Sequence, residues 1–420
     1  MFQCQPRPEA CCLLEPSAPG QPIAPARPCP SMAFQAAAAA IETIIAQPQF
    51  DGARFGVCAQ RRGDPVDLVS MNADTFFTPA SNTKLFTVAA AQRILDMEAT
   101  LDTSFWFAPP VRAGAASTLT VLGGGDPTLT FAQLSAAAAA LAEHLPAAPM
   151  DIRVDVSAFG RMQIPEAWDW DYISTTSGVL SSSVVVDRNT MHLCVLPPAS
   201  VGGEWELQWE HACDPDIEVD TSALHIVAEA HASSSAVSAR YRVAGGSGGL
   251  LLSLVGQLRP GDPAVRVDVP CLNVDRRAGL LLAEALETAG APCEIGRISV
   301  TADSRPKQSV DGAVHLHVLH SLPLGEILRD CMQPSDNLYA ECLLRMLEPA
   351  ATDGERGGMA SAQAALKQAV TAVGVNPRKL RLLDGSGMCA KNWICPRACI
   401  QLLQGKALAG EEGAEFDSFL

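Results

Sequence analysis

The spacing of apolar residues at the start of the chain predicts a helix, a hairpin and a second helix. Apolar side chains recur at helical intervals over Phe34–Ala46. Runs at Arg54–Gln60 and Val66–Met71 predict two strands that are joined by the turn RRGD. A second helical pattern follows in NTKLFTVAAAQRIL, after Pro79, which suits the first turn of a helix.

The pattern changes between about Leu101 and Val269. Short strand-like runs such as STLTVLGG, DIRVDVSAF and SVVVDRNTMHLCVL alternate there with turns rich in Gly, Pro and Ser. One helix, near Thr130–His144, interrupts them. This texture predicts one or two β-rich modules that are inserted at 101–269 between two helical parts of the chain.

Helical spacing returns after the predicted insertion. We expect helices at Ala278–Ala289, Leu324–Met332, Leu338–Leu347, Ala360–Val373 and Pro396–Ala407, and strands at Ala313–Leu319 and Leu380–Leu383. To the last segment, LAGEEGAEFDSFL, we assign no element.

Composition limits the class of protein. The 420 residues are 48% hydrophobic and 18% charged, with a formal net charge of −16, which fits a globular protein with two or three domains. An acidic chain lacks the basic face that phosphate binding requires, so we expect no nucleic acid partner.

No run approaches the ~20 apolar residues of a transmembrane segment. The Pro-, Ala- and Cys-rich stretch at 1–33 lacks the apolar core of a secretory signal, which predicts a disordered or targeting-like segment.

Several patterns that suggest other chemistry have simpler interpretations. The 14 cysteines show no C-x-x-C pairing of a zinc site, and most are expected to be buried thiols. His315, His317 and His320 suggest a metal site, but His315 and His317 alternate with Val and Leu, which is more typical of a half-exposed strand. The G-x-S-x-G match at 245–249 lies between two strand-like runs, which favours a hairpin over a hydrolase elbow. The chemistry predicted below needs no metal or organic cofactor.

The first catalytic candidate is Ser81-Asn82-Thr83-Lys84, an S-x-x-K pattern at a predicted helix start. Residues three apart share one face of a helix, so the hydroxyl of Ser81 and the amine of Lys84 can form a hydrogen bond. Lys84 is the only lysine among the first 306 residues. A lysine whose pKa is lowered can act as a base, whereas an arginine cannot. A second match, Ser304-Arg305-Pro306-Lys307, contains a proline that disfavours a helix.

The second candidate is Ser335-Asp336-Asn337, at a break between two predicted helices. A loop at this break can direct a hydroxyl and an amide group into a cleft, although the same sequence is also a good N-cap. S-x-x-K together with S-D-N is the combination found in penicillin-binding proteins and β-lactamases.

With these motifs, the chain resembles the class C penicillin-binding proteins that are D-alanyl-D-alanine carboxypeptidases/endopeptidases. Four further stretches support the resemblance: GGGDPTLT, WDWDYISTTSGVLSSSVVVDRN, PSDNLYAE and LLDGSGM. It extends over about Phe34–Leu420. The separation of 251 positions between Lys84 and Ser335 (335 − 84) implies a large insertion after the first motif.

The resemblance implies an α+β fold, a penicillin-recognising transpeptidase/β-lactamase-like domain in which an antiparallel sheet is flanked by helices. The catalytic domain would comprise 34–100 and 270–420, around the β-rich insertion. Ser81 would form an acyl-enzyme with Lys84 as its base. Ser335 would relay a proton to the leaving amine, and Asn337 would orient the substrate.

The family also implies partners and a location. Peptidoglycan stem peptides would be the substrates, and β-lactams would be inhibitors. The expected location is extracytoplasmic (periplasmic or secreted), with an organelle as the other option.

One expected motif is missing. No Lys/His-Thr/Ser-Gly occurs after Ser335, whereas the family has Lys-Thr-Gly on a strand after the DGSG segment. The resemblance therefore implies that the C-terminal strands of the catalytic sheet are missing and that turnover is impaired. Two alternatives stay open. One is an esterase or β-lactamase-like hydrolase on the same scaffold, and the other is a non-catalytic relic that binds peptidoglycan.

Overall fold

The structure, a computed structural model, describes residues 32–161, 164–227, 236–243, 250–302, 312–348, 358–407 and 411–420. Its helices are α1 (Met32–Ile45), α2 (Thr83–Ile94), α3 (Phe131–Ala142), α4 (Trp170–Ile173), α5 (Val274–Thr288), α6 (Leu324–Met332), α7 (Asn337–Met346), α8 (Met359–Ala372), α9 (Pro396–Ala407) and α10 (Glu411–Phe419). Its strands are β1 (Val57–Gln60), β2 (Asp67–Met71), β3 (Asp102–Ala108), β4 (Ser117–Gly123), β5 (Pro149–Asp155), β6 (Thr190–Leu196), β7 (Glu206–Trp209), β8 (Glu218–Ile226), β9 (Ala236–Val243), β10 (Leu250–Leu258), β11 (Val265–Pro270), β12 (Glu294–Thr301), β13 (Val314–His320), β14 (Leu380–Arg381) and β15 (Trp393–Ile394).

Helix α2 is the centre of the helical part, where it contacts α6, α7, α8, α9 and α10. A helix that is apolar on all sides is buried on all sides, and Phe86, Val88 and Ala90 of α2 are all inaccessible to solvent. The alanine run at 89–91 lets neighbouring helices approach closely. Burial of α2 on every side places its N-terminal residues inside the protein.

A small antiparallel sheet lies beside these helices. Strand β1 pairs with β2 from Val57↔Met71 onward, α1 contacts β2, and α9 contacts β1. Arg397 of α9 donates to both carboxylate oxygens of Asp67 on β2, at 2.8 and 2.9 Å. The predicted helix–hairpin–helix order is therefore present, with strands shorter than expected.

A separate core forms around a five-stranded sheet with the order β12-β5-β4-β3-β13. Helices α3 and α5 contact each other and pack on this sheet. Its core contains Phe105, Leu119, Ile152 and Leu282, all inaccessible to solvent. Strands β3, β4 and β5 lie before residue 270 in the chain, and β12 and β13 lie after it. The domain boundary expected at residue 270 therefore divides one sheet. The chain returns to the helical part near Leu324 instead.

Two three-stranded sheets complete the β-rich part. Their orders are β11-β6-β7 and β8-β10-β9, with β10 parallel to β8 and antiparallel to β9. A third apolar core joins them, which includes Trp168, Leu193 and Leu252. This core also reaches Cys389, so it borders the segment that follows β14.

Two elements of the structure were not predicted, and three segments discussed from the sequence lie outside the described residues. Strand β12 and helix α10 were not expected, although Phe416 and Phe419 of α10 are buried against the helical core. The pattern at 245–249 and the second S-x-x-K match at 304–307 lie outside the described residues. Residues 1–31 also lie outside them. None of the described helices combines the length and the hydropathy that a membrane crossing requires.

Phe416 provides a test of this packing. Its side chain is inaccessible to solvent, so Phe416→Ala should lower the free energy of unfolding by about 3–5 kcal/mol, through lost apolar contacts and a cavity. Phe76→Ala is the matched control, because Phe76 is 40% exposed, and it should lose less than about 1 kcal/mol. Urea denaturation of the variants measures both values. Equal losses would contradict the docking of α10.

Candidate active site

Ser81 and Lys84 lie where α2 begins. Ser81 belongs to a single 3₁₀ turn, Ala80–Asn82, which continues directly into the helix. Ala80 has a left-handed backbone, with φ at 48°. The Lys84 Nζ lies 3.2 Å from the Ser81 Oγ, which agrees with the spacing argument. Ser81 is exposed while Lys84 is 1% exposed, so a reachable hydroxyl lies against a buried amine.

The amine of Lys84 has three hydrogen-bond acceptors. It contacts the Asn337 Oδ1 at 2.7 Å and the carbonyl oxygen of Ser386 at 3.0 Å, in addition to Ser81. Burial lowers the pKa of Lys84 below its usual range of about 10.5, against the opposing effect of nearby Glu341 and Asp384. A lysine in this environment is shifted towards the neutral form that a general base needs.

The Ser-Asp-Asn segment forms the junction between α6 and α7. The N–H of Asp336 donates to Cys331 O, and the N–H of Ser335 donates to Met332 O, which is a Schellman motif at the end of α6. Ser335 occupies the left-handed position of this motif, with φ at 61°. Asp336 then caps α7 by accepting from the N–H of Tyr339 at 3.0 Å. Helix termination and capping therefore fix the conformation of all three residues.

The structure brings Asn337 to Lys84 but places Ser335 further out. The Nδ2 of Asn337 donates to Ser177 O at 2.9 Å, which fixes the amide so that its oxygen faces Lys84. Ser335 is exposed and is not among the hydrogen-bond partners of Lys84. With Asn337, it lines a cavity of about 360 Å³ that also includes Arg188.

The β-rich part contributes to this cavity. Arg188 forms an ion pair with Asp336, and its guanidinium lies 5.5 Å from the centre of the Tyr339 ring. Arg188 is the middle of three consecutive residues with left-handed backbones, at 187–189. The cleft is thus formed jointly by α7 and by residues of the predicted insertion.

Four residues that contact the site were not singled out from the sequence: Thr87, Glu341, Asp384 and Ser386. The segment from Asp384 to Gly387 runs beside α2. Gly387 has φ at 93°, and a side chain at this position would collide with Ala80 O. The Oδ1 of Asp384 accepts from the N–H of Gly387 at 2.9 Å, and its Oδ2 accepts from the indole of Trp168 at 2.9 Å. A charged residue inside an apolar helix, as in NLYAECLL, is the signal that could have identified Glu341.

The histidines of HLHVLH lie on β13, away from the Ser81 cluster. His315 contacts Trp106 with ring centres 4.8 Å apart and the rings tilted by 59°, and His320 pairs with Asp102 at 2.8 Å. Within the ranges that the structure describes, no group of three potential ligands that could hold a metal ion is present.

The fold is similar to that of a solved penicillin-recognising protein. Penicillin-binding protein 4 (dacB) from Haemophilus influenzae superposes with a TM-score of 0.66 at 20% identity, over 83% of this chain and 74% of that one. This similarity confirms the predicted fold class.

Two curated relatives cover similar parts of the chain. Penicillin-sensitive carboxypeptidase A of Dictyostelium discoideum is 23% identical over 377 residues, which is 84% of this chain and 69% of the relative. A D-alanyl-D-alanine carboxypeptidase of an Actinomadura species is 28% identical over 377 residues, 86% of this chain and 66% of the relative. The chain spans about two thirds of the length of these relatives.

The fold is that of penicillin-recognising serine peptidases. The model of the family described as "D-Ala-D-Ala carboxypeptidase 3 (S13) family" matches residues 37–419. The chain belongs to this family, and the resemblance drawn from the motifs is confirmed.

The left-handed backbone of Ser335 generates a test. A residue with a Cβ is disfavoured in this conformation by about 1–2 kcal/mol, and glycine is not. We expect the free energy of unfolding of Ser335→Gly to be about 0.5–1 kcal/mol higher than that of Ser335→Ala. Both variants lack the hydroxyl, and only glycine relieves the backbone strain. Thermal and urea denaturation measure the difference. A more stable alanine variant would contradict the conformation described for Ser335.

Proposed function

We propose that this chain is a serine-type D-Ala-D-Ala carboxypeptidase/endopeptidase in which Ser81 is the nucleophile, Lys84 its base, Ser335 a proton relay and Asn337 a substrate-orienting residue. The observation that carries the proposal is the set of three oxygen atoms around the Lys84 amine, of which two can only accept hydrogen bonds and the third, the Ser81 hydroxyl, can also donate. It gives the buried lysine one geometry in which it can remove a proton.

A neutral lysine amine has two N–H groups and one lone pair. The oxygens of Asn337 and Ser386 can only accept hydrogen bonds, so they take the two N–H groups. The lone pair then faces the third neighbour, Ser81, whose hydroxyl can donate. The contact of 3.2 Å between the Lys84 Nζ and the Ser81 Oγ is within the range required of a general base.

The reaction follows from this arrangement. Lys84 accepts the hydroxyl proton while the Ser81 oxygen attacks the carbonyl carbon of the penultimate D-Ala, which gives a tetrahedral oxyanion. The C–N bond to the terminal residue breaks, and Ser335 passes a proton originating from Lys84 to the leaving amine. Water then attacks the ester, which releases the shortened peptide and restores Ser81. The N–H of Ser81 is available as one oxyanion donor.

The substrates would be peptidoglycan stem peptides, and β-lactams would acylate the same serine. Membership of the family supports this assignment. Such substrates imply an extracytoplasmic site of action or an organelle lumen.

Covalent capture tests the nucleophile and the base. Incubation with excess penicillin should add one acyl group to Ser81, located by peptide mass spectrometry. Ser81→Ala should show no adduct, and Lys84→Arg should acylate about 10²–10⁴-fold more slowly, since arginine cannot serve as the base. Lys379→Arg is the control, because Lys379 pairs with Asp74 at 3.1 Å, away from the site; it should leave the rate unchanged.

The outcomes separate the alternatives. An adduct on a different residue, or none at all with the folded protein, would contradict the assignment and favour a non-catalytic role. An adduct on Ser81 that is released rapidly, with no cleavage of D-Ala-D-Ala peptides, would favour the β-lactamase-like alternative.

The state of Lys84 predicts a pH dependence. The base is active when neutral, so the acylation rate should rise with pH through the pKa of Lys84. Burial lowers this pKa, so the midpoint should lie below the ordinary lysine value. Stopped-flow measurement of penicillin acylation between pH 6 and 10 gives the profile. A rate that begins to rise only in the ordinary lysine range would contradict a buried lysine base.

A further inference from the structure

A buried carboxyl group that the proposed reaction does not use lies directly beneath the site. Glu341 is 1% exposed and follows Asn337 by four residues, so the two side chains lie on one face of α7. Its Oε1 accepts from the N–H groups of Gly385 at 3.0 Å and Ser386 at 2.8 Å. Its Oε2 has no hydrogen-bond partner within the described part of the chain. A carboxyl group is costly to bury in this way, so its presence requires an explanation.

The two N–H groups that Glu341 binds belong to the segment that faces Lys84. On the opposite side of this segment, Ser386 O accepts from Lys84 at 3.0 Å, and Gly385 O accepts from the hydroxyl of Thr87 at 2.7 Å. The segment is therefore held from α7 through its N–H groups and from α2 through its carbonyl groups. The Ser386 carbonyl belongs to the next peptide unit, whose N–H, on Gly387, donates to Asp384 at 2.9 Å. Glu341 therefore acts on that carbonyl through the preceding Gly385–Ser386 unit, which it anchors from the α7 side.

The direction of that carbonyl matters for the base. If the Ser386 oxygen turned away, one N–H of the neutral amine would lose its acceptor and compete for Ser81. The lone pair would then no longer be directed at the hydroxyl. We propose that Glu341 is a positioning residue, which aligns the Ser386 carbonyl with Lys84 and so directs the lysine lone pair to Ser81. This inference rests on the proposed function of Ser81 and Lys84.

The charge of Glu341 supports the same role. Burial, and then the nearby Asp384, raise the pKa of Glu341 to about 8. At lower pH the group is neutral, and its Oε1 still accepts from both N–H groups. An ionised Glu341 would raise the pKa of Lys84, so the neutral form favours an unprotonated base. The titratable and charged groups that face Glu341 are Lys84 on α2, Cys331 on α6, Cys342 and Arg345 on α7, and Asp384 in the loop.

Two substitutions separate the hydrogen bonds from the charge. Glu341→Gln keeps an oxygen for the two N–H groups and cannot ionise, so we expect its acylation rate at pH 7 to stay within about threefold of the wild type. Glu341→Leu fills a similar volume without an acceptor. It should lose about 100-fold in the acylation rate constant, the size of effect that a misplaced catalytic group produces. Non-covalent affinity for penicillin should change by less than about threefold, because Glu341 is too deeply buried to touch it.

The control is Glu348→Leu. Glu348 is also buried, at 6% exposure, and its Oε1 accepts from the N–H of Gly358 at 2.7 Å. Glu348→Leu therefore removes a similar carboxyl–amide contact away from Lys84, and it should leave acylation unchanged. Circular dichroism checks that each variant is folded.

The pH profile gives a readout that a merely structural role would not change. Above about pH 8 the wild-type Glu341 ionises and raises the pKa of Lys84, whereas glutamine stays neutral. The ratio of the Glu341→Gln rate to the wild-type rate should therefore increase between pH 7 and pH 9.

Three results would overturn the inference. Wild-type labelling at Ser81 together with normal acylation by Glu341→Leu would refute the positioning role and leave the proposed function intact. If Glu341→Leu does not fold, a Glu341→Gln acylation rate at pH 7 far below the wild-type rate refutes it instead, because glutamine keeps the acceptor for both N–H groups. Failure of the wild type to label Ser81 would remove the proposed function, and with it this inference.

Discussion

The site depends on the burial of one amine, that of Lys84, beside three oxygen atoms supplied by three separate parts of the chain. Ser81 comes from the turn before α2, Asn337 from the start of α7, and Ser386 from the loop after β14. A polar amine is costly to bury without hydrogen-bond partners, so each of these oxygens must be held where it can pair with the amine. Much of the surrounding structure holds these three oxygen atoms in position.

That support comes from helix ends and buried polar contacts. The Schellman motif at the end of α6 and the Asp336 cap together place Asn337 at the first position of α7. Asp384 ties the loop to Trp168 of the β-rich part, and Asn337 contacts Ser177 of the same part. The β-rich part therefore has a direct role in shaping the cleft, and a disturbance in its core should reach the catalytic residues through these contacts.

The features that could be predicted from the sequence are those that depend on the spacing of residues within one segment. Helices at Leu324–Met332 and Pro396–Ala407 have the predicted bounds, because apolar period and end signals are encoded within each segment. The proximity of Ser81 to Lys84 follows from the same helical geometry. By contrast, the pairing of β12 with β5 joins residues that are far apart in the chain, which no local pattern reports. The contact of Glu341 with the loop at 385–386 was unpredictable for the same reason, since it arises only when α7 packs on that loop.

Direct titration of Lys84 tests the central claim that its amine is a neutral base. The chain has only six lysines, so side-chain carbon signals of ¹³C-lysine protein can be resolved by NMR, and Lys84→Arg identifies the signal that belongs to Lys84. The account predicts that this signal titrates below the ordinary lysine range, apart from the other lysines. A Lys84 signal that titrates together with the exposed lysines near the ordinary value of about 10.4 would contradict it.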